Sequence, residues 1–356
     1  MKIVTVVGNR PQFVKAAAVS PLLRQAHEEV LVHTGQHYDD ELSGIFVREL
    51  AMPLPEIQLA LGTGSNTEQT ARMLAALAPI LAEEEPGAVL VYGDTNSTLA
   101  AGLAAAQAGI PVAHVEAGMR SFDRRMPEEL NRVLTDHLSS LLLCSTSTAV
   151  ENLHREAVVG RVELVSDVMA DISATIRPRA AADDAPLERA GVEPGGYLLA
   201  TAHRAGNVDD PVRLASLVDV LVAVGEPLVL PLHPRTQARL ETTGLLRRLQ
   251  EAEHVRLLPP LGYLEFTALL VRARAVLTDS GGVQKEAYLA GVPCVTVRDT
   301  TEWVETIEVG WNVLVDLDPA AAVAALARPR PEAHPDLYGD GEAGARVVAA
   351  LATLTR

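Results

Sequence analysis

The stretch LTDSGGVQKEAYLAGVPC, residues 277–294, decides how this chain is read. Its apolar lead-in, Ala275, Val276 and Leu277, suits a buried strand. The run breaks at Asp279-Ser280-Gly281-Gly282, and a helical pattern follows over 283–289. Ser280 is the expected N-cap. Gly281 and Gly282 leave backbone amides uncovered at the positive end of that helix, a geometry that binds phosphate without a lysine. Glu286 lies more than one helical turn further on, where it can reach past a phosphate toward a ribose, and a carboxylate can accept from both hydroxyls of a diol. A capped helix after a core strand would give the same pattern, so the surrounding chain must choose.

Outward from this stretch, strand and helix patterns alternate. Strands are expected at 2–7, 29–33, 88–92, 112–115 and 141–144, with helices at 12–25, 68–84, 97–108 and 128–139. A second series of strands is expected at 197–201, 228–232, 255–258, 275–278 and 294–297. Strands joined by crossover helices make parallel, doubly wound sheets. The alternation weakens over 171–196, where IRPRAAADDAPLERAGVEPGG is rich in proline, alanine and charge. The expected fold is therefore α/β, with two Rossmann-like doubly wound domains facing a central cleft. The first spans 1–168, the second 169–341, and the last helix, within 342–356, packs back on the first. Ligands of such sheets bind beyond the carboxyl ends of the strands.

Composition agrees. A chain of 356 residues is long for one domain. Hydrophobic residues reach 48% and aromatics only 3%, so alanine, valine and leucine do the packing, as suits helices layered on parallel strands. A net charge of −16 weighs against nucleic acid or an anionic membrane as the main partner. Local donors must then hold any anionic ligand. Cys144 and Cys294 each end an apolar run and read as small core residues in a reducing compartment. The opening MKIVTVVGNR lacks the apolar region of a signal peptide, and no run of about 18 apolar residues marks a membrane helix. A soluble, cytoplasmic protein is expected.

Polar residues collect at the strand ends. Arg10 and Lys15 follow the first strand, and both suit a diphosphate in an acidic protein. Asp94, in YGDTNS, follows the strand at 88–92, where a helix cap is the ordinary explanation. Glu116, in HVEAGMRS, has no such explanation and should be paired or carry a raised pKa. Of Glu128 and Glu129, the helix dipole accounts for one and leaves the other to face the cleft. Several carboxylates on neighbouring strand ends suit acid–base chemistry. In the second half, His203 and His233 end equivalent strands without metal-ligand spacing, so no metal is assigned. Neither a G-x-G-x-x-G nor a Walker lysine pattern is present, which counts against tightly bound NAD.

Assembled, these residues resemble the non-hydrolysing UDP-N-acetylglucosamine 2-epimerases. The likeness covers GNRPQFVK, TGQHYDDE, GDTNST, HVEAGMRSFDRRMPEELNR, TAHR, HPRT, GYLEF, TDSGGVQKEA, RDTTE and YGDG, in family order and nearly end to end. The resemblance implies two Rossmann-like domains in the arrangement of the GT-B glycosyltransferases, no cofactor and no metal. It implies UDP-N-acetylglucosamine, UDP-N-acetylmannosamine and UDP as ligands, and a homodimer. By matching position, Asp94, Glu116 and Glu128 are the catalytic carboxylates, and His203 is catalytic or contacts the diphosphate. Arg10 and Lys15 line the substrate site, and Phe266 lies near the uracil. Ser280, Gly281 and Gly282 form the phosphate loop, and Glu286 binds the ribose. Gln36, Arg72, Arg204 and His233 resemble the pocket where some bacterial members bind a second UDP-N-acetylglucosamine as activator.

The implied reaction accounts for the acids. The C2 proton is not beside a carbonyl, so direct abstraction is slow. Loss of UDP from C1 as a carboxylate takes that proton gives 2-acetamidoglucal, and UDP adds back after the proton returns to the opposite face. Rival readings are a glycosyltransferase of the same fold, a hydrolysing 2-epimerase, an epimerase for a modified UDP-sugar, and a binding protein without catalysis. The chain departs from the family at Asn9, Gln12, Gly206 and Trp303. These departures bear on nucleotide affinity and sugar preference and leave the three carboxylates in place.

Overall fold

The run AVLVY is buried at every position and sits mid-sheet, as a continuous apolar segment of a parallel sheet should. The computed structural model describes residues 1–35 and 52–354. Seven strands form the first sheet: β1 (Lys2–Val7), β2 (Glu28–His33), β3 (Ile57–Gln58), β4 (Ala88–Tyr92), β5 (Val112–Ala117), β6 (Leu141–Cys144) and β7 (Arg161–Leu164). Their spatial order is 3-2-1-4-5-6-7, with every pairing parallel. The helices are α1 (Arg10–Ala26), α2 (Asn66–Glu84), α3 (Asn96–Gln107), α4 (Pro127–Leu138), α5 (Ser147–Arg155) and α6 (Val168–Ala181). Val4, Val32, Val91, Met73, Leu77 and Ala104 close one core layer between the sheet and α2 and α3.

The second sheet has six parallel strands: β8 (Leu198–Thr201), β9 (Leu228–Pro231), β10 (Val255–Leu258), β11 (Ala275–Thr278), β12 (Cys294–Thr296) and β13 (Asn312–Leu314). Their order is 10-9-8-11-12-13. Its helices are α7 (Ala185–Ala190), α8 (Ala205–Val208), α9 (Pro211–Ala223), α10 (Pro234–Thr242), α11 (Leu246–Glu251), α12 (Tyr263–Leu270), α13 (Gly281–Leu289), α14 (Val304–Glu308) and α15 (Pro319–Leu326). Both sheets are Rossmann-like and doubly wound. The strand order reverses between β1 and β4 in one and between β8 and β11 in the other, and those are the switch points where such folds bind ligands.

The chain divides into one unit of residues 1–174 with 336–356, and another of 175–335. The first division falls inside the continuous helix α6 rather than in a loop. The last helix, α16 (Ala343–Leu351), packs on α1, where a side chain at Gly344 would meet the Ala18 carbonyl oxygen at 2.3 Å. Asp171 fixes its start by accepting from the amides of Ala343 (3.1 Å) and Gly344 (2.7 Å). Among the described residues, no helix is long and apolar enough to cross a membrane.

Candidate active site

In the first unit the switch point is a polar cluster. Asn9 caps α1, accepting from the Gln12 amide at 3.2 Å. The Gln12 side chain then reaches inward. It accepts from Gly8 N (2.7 Å) and donates to the Tyr92 carbonyl (2.7 Å) and Thr98 Oγ1 (2.8 Å). The ends of β1 and β4 are thereby pinned to α3. One turn along α1, the Lys15 ammonium pairs with the Glu116 carboxylate. Glu116 sits on a bulge: pairing of β5 with β6 shifts register between Val115 and Ala117. Its φ is +69°, a left-handed conformation that a non-glycine residue holds only when its surroundings enforce it. Gly93 turns at φ +60° beside this pair, and a side chain there would meet Lys15 Nζ at 3.0 Å.

Asp94 follows that turn. The cap of α3 is Thr95, in a reciprocal pair with Thr98, so capping does not explain Asp94. Instead its carboxylate accepts from Arg132 Nη2 at 2.6 Å. Arg132 also pairs with Glu129 at 3.0 Å. Glu129 is buried and accepts from the amides of Ser121 (2.8 Å) and Phe122 (3.0 Å), tying the 121–122 loop to α4. Glu128, its neighbour, is exposed in the first turn of α4. One of the two acids is thus structural and the other open to a ligand.

In the second unit, the fully buried Asp279 ends β11 and collects the backbone of the next strand end. Its carboxylate accepts from His203 N (3.1 Å), Arg204 N (3.1 Å) and Asn207 Nδ2 (3.3 Å). His203 and His233 come together with ring centroids 5.6 Å apart. The helix α13 begins two residues earlier than its hydrophobic pattern indicates, so Gly281 and Gly282 form its first turn. Ser280 holds the N-cap position, yet its side chain makes no cap bond, contrary to expectation. Its amide donates to Thr278 Oγ1 at 2.9 Å, and that turn fixes the residue in extended backbone. A side chain at Gly281 would stand 3.4 Å from Trp303 Nε1 and 3.6 Å from Arg204 Nη2. The Glu302 carboxylate lies 3.5 Å from the same point, so an indole N–H and a guanidinium, donors for an oxyanion, flank the helix start together with a carboxylate that Arg298 holds. Arg298 holds Glu302 through two bonds of 3.1 Å, and Glu302 in turn lies 3.6 Å from Arg204. The Lys285 ammonium lies 4.2 Å from the Trp303 ring centroid.

Comparison with known proteins shows the family. The family model for UDP-N-acetylglucosamine 2-epimerase matches residues 22–352. The chain belongs to that family. It is an isomerase of the non-hydrolysing kind. It is 46% identical, over 99% of its length and 100% of the relative's, to UDP-2,3-diacetamido-2,3-dideoxy-D-glucuronate 2-epimerase of Pseudomonas aeruginosa. It is 44% identical, over 99% and 100%, to a UDP-N-acetylglucosamine 2-epimerase homolog of Methanococcus maripaludis. The crystal structure of the Methanocaldococcus jannaschii UDP-GlcNAc 2-epimerase in complex with UDP-GlcNAc and UDP superimposes with a TM-score of 0.93. Identity there is 38%, with 99% of each chain covered.

Against the family motifs, Asp94, Lys15 and Glu116 gather at one sheet edge, with Glu128 one turn ahead of Arg132. Ser280, Gly281, Arg204, His203 and His233 gather at the other, and Glu286 is half-buried in the second turn of α13. Arg10 is the first residue of α1; its side chain lies outside the described residues, as does Gln36. Arg72 donates to the carbonyls of Leu61 (3.5 Å) and Thr63. Phe266 is buried in the core with Leu199, Leu269 and Val276, so packing accounts for most of its surface. Sequence reasoning gave no role to Arg132, which pairs with Asp94, or to Asp279, which gathers the backbone after β8. Asp279 carried a signal, a carboxylate directly after a buried strand. Arg132 closes the quoted HVEAGMRSFDRRMPEELNR motif, but only the fold brings the middle of α4 to Asp94.

Proposed function

We propose that this isomerase interconverts UDP-N-acetylglucosamine and UDP-N-acetylmannosamine by elimination and re-addition of UDP. A carboxylate takes the C2 proton, the electrons of that bond form the C1–C2 double bond, and the C1–oxygen bond breaks to release UDP. Return of a proton to the other face and re-addition of UDP give the epimer. Asp94, Glu116 and Glu128 supply the proton transfers. Ser280, Gly281, Gly282, Arg204 and Trp303 hold the diphosphate, Glu286 the ribose, and His203 the leaving oxygen side. The observation that carries this reading is Glu116, bulged out of β5 at positive φ and set against Lys15 beside Asp94. Backbone strain kept at a carboxylate near a switch point supports a reacting role for that group.

The 46% identity to a diacetamido-glucuronate epimerase favours a second reading, the same reaction on a modified sugar. Proton NMR in deuterium oxide decides. Deuterium at C2 and a manno product from UDP-N-acetylglucosamine support the first reading. Turnover of UDP-2,3-diacetamido-2,3-dideoxyglucuronate alone supports the second, and inertness toward both refutes the proposal. Two buried, unlinked thiols suit a cytoplasmic setting. A homodimer, implied by resemblance, is checked by sedimentation.

A further inference from the structure

His114 lies two residues before Glu116 on β5 and is fully buried. Its Nδ1 is 2.7 Å from Asp136 Oδ1, and its Nε2 is 2.7 Å from the Gly93 carbonyl oxygen. A carbonyl oxygen only accepts, so Nε2 must carry hydrogen. Asp136, also fully buried, accepts from Arg120 Nη1 (2.7 Å) and Gly118 N (3.1 Å) on its other oxygen. Burial pushes the Asp136 carboxyl up, but the His114 imidazole and the Arg120 guanidinium outweigh it and hold the group below the usual carboxylate range. A carboxylate there requires hydrogen on Nδ1 as well. Arg120 is shared with Glu156 through two bonds of 2.7 Å, so two cations face two carboxylates and the buried cluster closes neutral. Other titratable groups nearby are the Cys144 thiol near Asp136, His137, 3.6 Å from Glu156, and the Lys15–Glu116 pair beside Gly93.

We propose that His114 is a positioning residue that, hydrogen-bonded to Asp136 through Nδ1 and to the Gly93 carbonyl through Nε2, clamps the two turns carrying the reacting acids. One turn is Gly93, whose carbonyl it holds just before Asp94. The other is Gly118, which Asp136 holds just after the Glu116 bulge. A neutral imidazole would either point a lone pair at the Gly93 oxygen or give up the bond to Asp136. Each loosens one turn, and a misplacement of about 1 Å can cost roughly a hundredfold in rate.

The test is the two-bond proton–nitrogen correlation spectrum of the intact protein labelled with 15N-histidine, taken at about pH 7. His114→Gln assigns the signals by removing them, and Asp136→Asn assigns them by moving them should the first variant not fold. The expected result is hydrogen on both ring nitrogens of His114, each facing the partner seen in the structure. A pyridine-type signal at either nitrogen overturns the clamp. In kinetics, His114→Gln and Asp136→Asn should each lower kcat about tenfold or more while KM stays within about twofold. Unchanged kcat, or an effect confined to KM, overturns the positioning role. The kinetic arm rests on the proposed epimerisation and the spectroscopic arm does not, so inert wild-type enzyme would count against the former alone.

Discussion

Replacing Glu116 by glutamine removes the charge that faces Lys15 while keeping shape. The two side chains are 11% and 13% exposed, so the pair is neither a surface ion pair nor a sealed one. Exposed pairs contribute about 0.2–1 kcal/mol. Breaking a fully buried pair costs roughly 3–5 kcal/mol, because the remaining charge is left without compensation. A pair this far from solvent should cost about 2 kcal/mol. The left-handed φ of +69° supplies a second handle. A non-glycine residue gives up about 1–2 kcal/mol there, whereas glycine's extra freedom in the unfolded chain costs about 0.4–1 kcal/mol. Glu116→Gly, equally without the carboxylate, should therefore be more stable than Glu116→Gln by about 0.5–1 kcal/mol. Both variants should lose at least about a hundredfold in turnover, the usual contribution of an acid–base group. Urea denaturation reads the first pair of quantities, and deuterium incorporation at C2 reads the other. Exchange by Glu116→Gln within about twofold of wild type would refute the catalytic assignment. A glycine variant less stable than the glutamine variant would refute the strain reasoning.

Asp94→Asn should stay folded, because Arg132 keeps Glu129 at 3.0 Å, and should lose turnover about a hundredfold. Glu128→Gln, at an exposed first-turn position, should change stability by less than about 0.5 kcal/mol yet lower turnover comparably; near-normal exchange in both would retire these acids. Gly281→Ala places a methyl 3.4–3.6 Å from Trp303, Glu302 and Arg204, which the fold can absorb but a phosphate cannot. Titration calorimetry with UDP should show affinity down about tenfold, and unchanged affinity would remove α13 from the binding site. Burial pushes the thiols of Cys144 and Cys294 from 9.0 up to about 12, so both stay protonated at pH 8 and should resist a thiol reagent until the protein unfolds. The sign for stability follows. Above pH 9 the unfolded chain releases these protons and the folded one keeps them, so stability is full below 9 and falls as pH rises toward 12. Fast labelling of native protein, or a flat denaturation profile over that range, would contradict the burial.

Both sheets were legible because parallel strands buried on two faces read as unbroken apolar runs, as in AVLVY and LLLC. The elements that were not legible lacked that property. β7 alternates charge with apolar residues at the sheet edge (RVEL), and β13 is three residues long. Helix starts were read one or two residues late whatever the cap, because the apolar pattern begins inside the first turn. α1 begins at Arg10 behind the Asn9 cap rather than at 12, and α13 begins at Gly281 rather than at 283, behind a serine that does not cap. The same physics limited the reading of the site. Acids that follow a strand, such as Asp94, Glu116 and Asp279, can be found from position alone, since a charge at the end of a buried run must meet a partner. The partners cannot, because Lys15, Arg132 and Asp136 project from helices whose rotation over the sheet is set by packing far from the site. What makes Glu116 unusual, its bulge and its left-handed backbone, is a property of register between β5 and β6 and leaves no mark on composition. The residues proposed to do the chemistry are thus more visible in the sequence than those that aim them, and the aiming residues are where the structure adds the most.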